Sequence, residues 1–150
     1  MFKLPIGVDI NNLIDDLRFF SWEASDILLH YSKRLKNQEY SKEIIKTKSK
    51  LEPVTIADIE VNDLIIKGIN KNYKEVAWNI LSEENVKTGA DIFVANSQWI
   101  WILDPLDGTK DFIQGTENYA MHLALNYDKK PCIGLVLIPE KGELWITNNK

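Results

Sequence analysis

The chain has 150 residues, 45% of them hydrophobic, with five Trp, five Tyr and five Phe, enough to bury the core of one domain and too apolar for a disordered chain. Its net charge is −4, with lysines mixed among acids rather than gathered into one face, which makes a nucleic-acid polymer a poor partner. Cys132 is the single cysteine, excluding an internal disulfide, and no apolar run nears the roughly 20 residues that cross a bilayer. The opening residues lack a signal peptide's apolar stretch, so the expectation is a cytoplasmic protein with no membrane partner.

In chain order, Asp9 stands as a candidate N-cap before Ile10, Leu13, Ile14, Leu17, Ala24, Ile27, Leu28 and Tyr31, which recur at helical spacing. They predict an amphipathic first helix, with His30 near its end favouring the negative pole of the helix dipole. Lys46 to Glu52 reads as an exposed loop. Thr55-Ile-Ala-Asp58 has the form of a capping box with Asp in place of Glu. It opens a second helix of about 15 residues through Ile59, Leu64, Ile65 and Ile69.

After Asn72 the pattern turns to strands: Glu75 to Leu81, Gln98 to Leu103, Ala120 to Tyr127, Cys132 to Ile138 and Glu143 to Thr147. Asp128 to Pro131 and Pro139 to Gly142 are short polar connections of the hairpin kind. The sum is an α+β domain over 1–150, two helices layered on a mainly antiparallel sheet. Trp99 and Trp101 read as core, His122 as a strand residue and Cys132 as unreactive.

The chemistry gathers at element ends. Trp99 to Leu103 is a strand that Pro105 turns out of its line, leaving Asp104 and Asp107 to converge. Two close carboxylates repel, and a shared proton or a cation relieves them; hard oxygen donors suit magnesium, manganese or calcium. Asp58 lies in the first turn of helix two, Glu83-Glu84 just past the first strand, and Asp111 soon after Asp107. If the first two strands are neighbours, Glu83 reaches the cation held by Asp104. Taken singly, Asp58 is a helix cap, Glu83-Glu84 a solvated turn, and Asp104-Pro-Leu-Asp-Gly108 an ordinary tight turn. Gly108 lets the backbone approach a ligand, and Thr109 to Ile113 forms a short helix whose free N–H groups face an anion.

Asp104-Pro-Leu-Asp-Gly-Thr109, with Ser82-Glu83-Glu84 and Pro53-Val-Thr-Ile-Ala-Asp58 before it, resembles the inositol monophosphatase family of magnesium-dependent, lithium-sensitive phosphatases. Leu81 to Glu84 and Gly108 to Ile113, with Lys110 as the pointer, look most like its 3'(2'),5'-bisphosphate nucleotidase branch. That branch removes the 3'-phosphate from 3'-phosphoadenosine 5'-phosphate, a by-product of sulfate assimilation. The resemblance implies the N-terminal domain of a layered sugar-phosphatase-like fold. It implies that Glu83, Asp104 and the Leu106 carbonyl hold one Mg2+, and that Asp104 and Asp107 hold a second, with Mn2+ as a substitute. Thr109, paired with Asp58, orients and helps deprotonate a metal-activated water, so that Thr109, Asp58 and Glu83 carry the catalysis. The N–H groups of Gly108 and Thr109 receive the phosphate, and Lys110 touches the substrate. Inositol 1-phosphate or fructose 1,6-bisphosphate are the alternative substrates, and a homodimer is left open.

Two features depart from the family pattern. Lys48 to Glu52 lacks the Asp and small polar residues usual in the nucleotide branch, which puts a lithium-linked role there in doubt. Family members are about twice this length and supply a further ligand from a Trp-Asp motif; here Trp22, Trp78, Trp99, Trp101 and Trp145 are followed by Glu, Asn or Ile. The expectation is a chain weak or inactive by itself that keeps the first metal site, or else a non-catalytic remnant or binding module. A haloacid-dehalogenase-type phosphatase also carries Asp-Gly-Thr after a strand, but its acids are spaced Asp-x-Asp, not Asp-x-x-Asp, which argues against an aspartyl-phosphate.

Overall fold

The computed structural model describes residues 3–37, 44–47, 53–86 and 97–148. Helix α1 spans Ile10–Lys36; its first N–H groups are met by Asp9, whose Oδ1 accepts from Asn11 and Asn12 at 2.9 and 3.0 Å. The helix runs past the expected end, since Lys33, Arg34 and Lys36 occupy its last turn and complement the dipole there. His30 is therefore not terminal; it packs edge-on against the Tyr31 ring at 5.0 Å.

Strands β1 (Ile45–Thr47) and β2 (Pro53–Thr55) pair antiparallel. Lys46 thus belongs to a ladder rather than to the expected loop, while 48–52 lie outside the described residues. Helix α2 (Ile56–Asn72) starts at once, on the capping box expected from the sequence: the Thr55 hydroxyl accepts from the Asp58 N–H, and the Asp58 carboxylate accepts from the Thr55 N–H.

The main sheet has the order β3-β4-β5-β6-β7. Its strands are Asn79–Ser82, Trp99–Asp107, Ala120–Tyr127, Lys130–Ile138 and Glu143–Asn148. A one-turn helix α3 (Glu83–Val86) follows β3, α4 (Thr109–Ile113) follows β4, and a 3₁₀ turn (Pro139–Lys141) joins β6 to β7. Every pairing is antiparallel except β3 with β4, which is parallel. The α+β reading holds, with strand three shorter than expected: Glu75 to Trp78 is not strand, because the backbone there bonds locally, Val76 to Tyr73 and Trp78 to Val76.

Alternation builds the core. Met121, Leu123 and Leu125 of β5 and Leu135 and Leu137 of β6 point one way, and with Trp99, Trp101 and Leu103 of β4 they pack against Leu13, Leu17, Leu28, Val61, Ile65 and Ile69 of the two long helices. Each such side chain contributes roughly 1.5–3 kcal/mol of burial. At the far end, Glu140 of the 3₁₀ turn accepts from Ser32, Lys36 and Tyr119 at 2.6, 2.9 and 3.0 Å, fastening the β6–β7 connection to α1. Among the described residues no helix is long and apolar enough to cross a membrane.

Candidate active site

Parallel pairing decides where the carboxylates go. Ser82 sits opposite Leu103, so β3 and β4 reach the same height together, and Glu83 and Asp104 are the next residue on each chain. The Asp104 carboxyl is pushed up to about 6 by burial, then by the charges of Glu83 and Asp107, against the pull of the Leu106 N–H and of His122. The adjacency that the sequence left conditional is present.

Pro105 does not end β4. The strand runs on to Asp107, with a register shift between Asp104 and Asp107. Proline is tolerated in strands at such irregularities, where its missing N–H breaks no ladder bond. The bulge leaves Pro105 and Leu106 buried and Asp107 exposed, and the Leu106 N–H donates to Asp104 Oδ1 at 3.2 Å.

Gly108 then takes φ +82° and caps α4, whose start has no side-chain cap; Phe112 N–H donates back to the Gly108 carbonyl at 2.9 Å. The short helix is where the sequence predicts it. It sets Thr109 against two acceptors: its hydroxyl lies 2.9 Å from the Leu106 carbonyl and 3.4 Å from Asp58 Oδ1. A hydroxyl has one proton to give, so Thr109 donates to one of them at a time, and the shorter contact is the one to the Leu106 carbonyl.

Asp58 divides its oxygens. Oδ2 accepts from the Thr55 N–H and hydroxyl at 2.7 and 2.6 Å, leaving Oδ1 for Thr109. Burial, opposed by those Thr55 bonds and assisted by the charge of Glu84, raises the carboxyl to about 6. The same carboxylate thus caps the helix through one oxygen and faces Thr109 with the other.

Glu84 and Asp111 depart from the sequence reading. Glu83 and Glu84 form the first turn of α3; Glu83 is exposed, in keeping with the solvated reading, whereas Glu84 is buried. His122 is a strand residue, as expected, yet its register partner is Asp104 and its Nδ1 stands 4.0 Å from Asp107 Oδ2, at the rim of the site. Asp111 is spent elsewhere, its Oδ1 accepting from the Thr116 hydroxyl at 3.1 Å. Lys110 is exposed on α4. The alternation of β5 could have placed His122 on the outer face; only register places it by Asp104.

Among the described residues, no three His, Cys, Asp or Glu side chains stand together as a ready metal-holding group. What the structure offers is carboxylates coupled in charge, with a backbone carbonyl beside them. Hard oxygens, one on a carboxyl raised by burial and then by its like-charged neighbours, fit a divalent cation, which would relieve that repulsion.

The chain matches the family model described as the inositol monophosphatase family over residues 17–150. It is 36% identical over 105 residues to the bifunctional phosphatase IMPL2 (chloroplastic) of Arabidopsis thaliana, covering 70% of this chain and 29% of that one. It is 30% identical over 118 residues to the 3'(2'),5'-bisphosphate nucleotidase CysQ of Salmonella typhimurium, covering 77% and 44%. The crystal structure of the extragenic suppressor protein suhB from Bartonella henselae superposes with a TM-score of 0.74 at 23% identity, over 92% of this chain and 49% of that one. The chain therefore spans less than half the length of these relatives.

Proposed function

This chain belongs to the inositol monophosphatase family, and from that premise we propose that it carries the metal- and phosphate-binding half of a magnesium-dependent phosphate monoester hydrolase. The observation that carries the reading is the Asp58–Thr109 pair, 3.4 Å apart, with the Thr109 hydroxyl also 2.9 Å from the carbonyl of Leu106, which lies between Asp104 and Asp107, carboxylates coupled in charge. Glu83, Asp104 and the Leu106 carbonyl would hold one Mg2+, and Asp104 and Asp107 a second, with Mn2+ able to substitute. When bound, such ions acidify water, stabilise the leaving oxygen and clamp an in-line displacement.

The chain's own residues do the rest. Asp58, buried and raised to about 6, accepts the Thr109 hydroxyl proton as Thr109 takes one from the attacking water that it orients. The N–H groups of Gly108 and Thr109 receive the phosphate, whose charge suits a helix start without a side-chain cap. Lys110 supplies an exposed positive charge to the remainder of the substrate.

The preferred substrate is adenosine 3',5'-bisphosphate, cleaved at the 3'-phosphate, supported by Lys110 and by the similarity to the Salmonella nucleotidase. Inositol 1-phosphate is the second reading, favoured by the family model's description. The test is phosphate release from both compounds and from fructose 1,6-bisphosphate across a magnesium titration, with calorimetric Mg2+ binding alongside and Asp104→Asn as control. The expected result is Mg2+ binding that Asp104→Asn weakens at least tenfold, with any turnover highest on the nucleotide and abolished by the variant. Wild type that binds no magnesium, or binds it as the variant does, overturns the metal reading; faster release from inositol phosphate overturns the substrate.

A further inference from the structure

We propose that Asn62 and Ser82, which make no part of the site described above, are positioning residues for Glu83. Asn62 lies one helical turn after Asp58 on α2, so the two share a face. Both are buried, among Ala57, Val61 and Ile65. One helix face thus presents two polar side chains to the sheet. Asp58 reaches Thr109 beyond β4, and Asn62 reaches Ser82 at the end of β3.

Ser82 is fully buried, and a buried hydroxyl is costly unless it is bonded. It is bonded twice. Its proton goes to Asn62 Oδ1, and its oxygen accepts the Glu84 N–H at 3.3 Å. The chain of bonds runs from α2 through Ser82 into the first turn of α3, and Glu83 is the residue it spans. The same helix that orients Thr109 therefore also fixes the turn bearing the carboxylate that meets Asp104, setting the two sides of the site by one rigid ruler.

A buried hydrogen bond can serve stability alone, so the test separates the two roles. This proposal rests on the metal reading, and the Glu84 amide gives a readout that needs no metal. The variants are Ser82→Ala, Ser82→Thr, Asn62→Leu and the double variant Ser82→Ala/Asn62→Leu, in which both polar partners become apolar and the stability loss is largely relieved. Measured are Glu84 amide hydrogen exchange, the thermal midpoint without metal, and the dissociation constant for Mg2+ alone. The expected result is at least tenfold faster Glu84 exchange and about fivefold or more weaker Mg2+ binding in Ser82→Ala, Asn62→Leu and the double variant. Ser82→Thr restores both, and the double variant recovers its midpoint without recovering affinity. Unchanged Glu84 exchange in Asn62→Leu overturns the clamp whatever the metal does. Faster exchange with wild-type affinity, in a protein whose Glu83→Gln variant binds weakly, overturns the positioning role. A wild type that binds no Mg2+ at all, with the exchange pattern intact, overturns the metal reading and with it the purpose of the clamp.

Discussion

Gly108 carries two constraints at once. Its φ is +82°, and a Cβ there would meet the Asn118 carbonyl oxygen at 2.5 Å and Tyr119 Cα at 3.3 Å. A left-handed alanine costs about 1–3 kcal/mol, and the second constraint is backbone, which cannot swing aside. Gly108→Ala is expected to lose at least about 2 kcal/mol in urea unfolding and to weaken binding of inorganic phosphate more than tenfold; unchanged unfolding would remove the steric argument. Asp58 shows what single residues disclose. Its capping role was legible three positions from Thr55, because a cap is local chemistry. That its second oxygen faces Thr109, 51 residues on, was legible only through the family resemblance, while the burial of Glu84 and the pairing of His122 with Asp104 were not legible at all, since each depends on register between distant segments.

At the scale of elements, α1 and α2 meet where Gly68 lies under Phe20. A Cβ on Gly68 would stand 2.7 Å from two ring carbons of Phe20, a side chain only 6% exposed. Alanine is the better helix former by about 1 kcal/mol, but overpacking a filled contact costs roughly 1–3 kcal/mol. Gly68→Ala is therefore expected to be net destabilising by about 1 kcal/mol, and less so in a Phe20→Leu background; a stabilised single variant would show that the ring moves freely. The five strands of the main sheet were readable from β-branched and aromatic runs, whereas their ends and the short β1–β2 pair were not. Pro105 looked like a terminator because its fixed φ turns the chain, but at a bulge the strand carries on through it, its missing N–H breaking no ladder bond. Glu75 to Trp78 looked like a strand by composition, and local turn bonds claimed it.

For the whole molecule, the buried carboxyl of Asp58 makes stability depend on pH. Its folded value is raised from 3.8 to about 6, so the native state binds the proton more tightly than the unfolded chain, and stability falls as pH rises between those values. In chelator-treated buffer the protein is expected to be less stable at pH 7 than at pH 5 by about 1 kcal/mol from this group, with Asp104, raised for similar reasons, acting in the same direction. Asp58→Asn should flatten the difference in denaturant titrations at the two pH values; an unchanged slope would mean that Asp58 ionises freely. Glu140 works the other way: burial raises its carboxyl, but bonds from Ser32, Lys36 and Tyr119 prevail and lower it, so its contribution is present above the ordinary carboxylate value and lost as pH falls from that value through the lowered one. The sequence by itself determined the α+β class, the two long helices, the capping box and the chemical identity of the Asp104 to Thr109 turn, because periodicity, capping and turn formation act over a few residues. Only the tertiary structure decided that β3 and β4 run parallel and end level, that the strand carries its bulge through Pro105, and that one face of α2 touches both loops. Those depend on which distant surfaces bury one another, and it is burial that turns Asp58 and Asp104 from ordinary surface acids into groups poised near neutral pH.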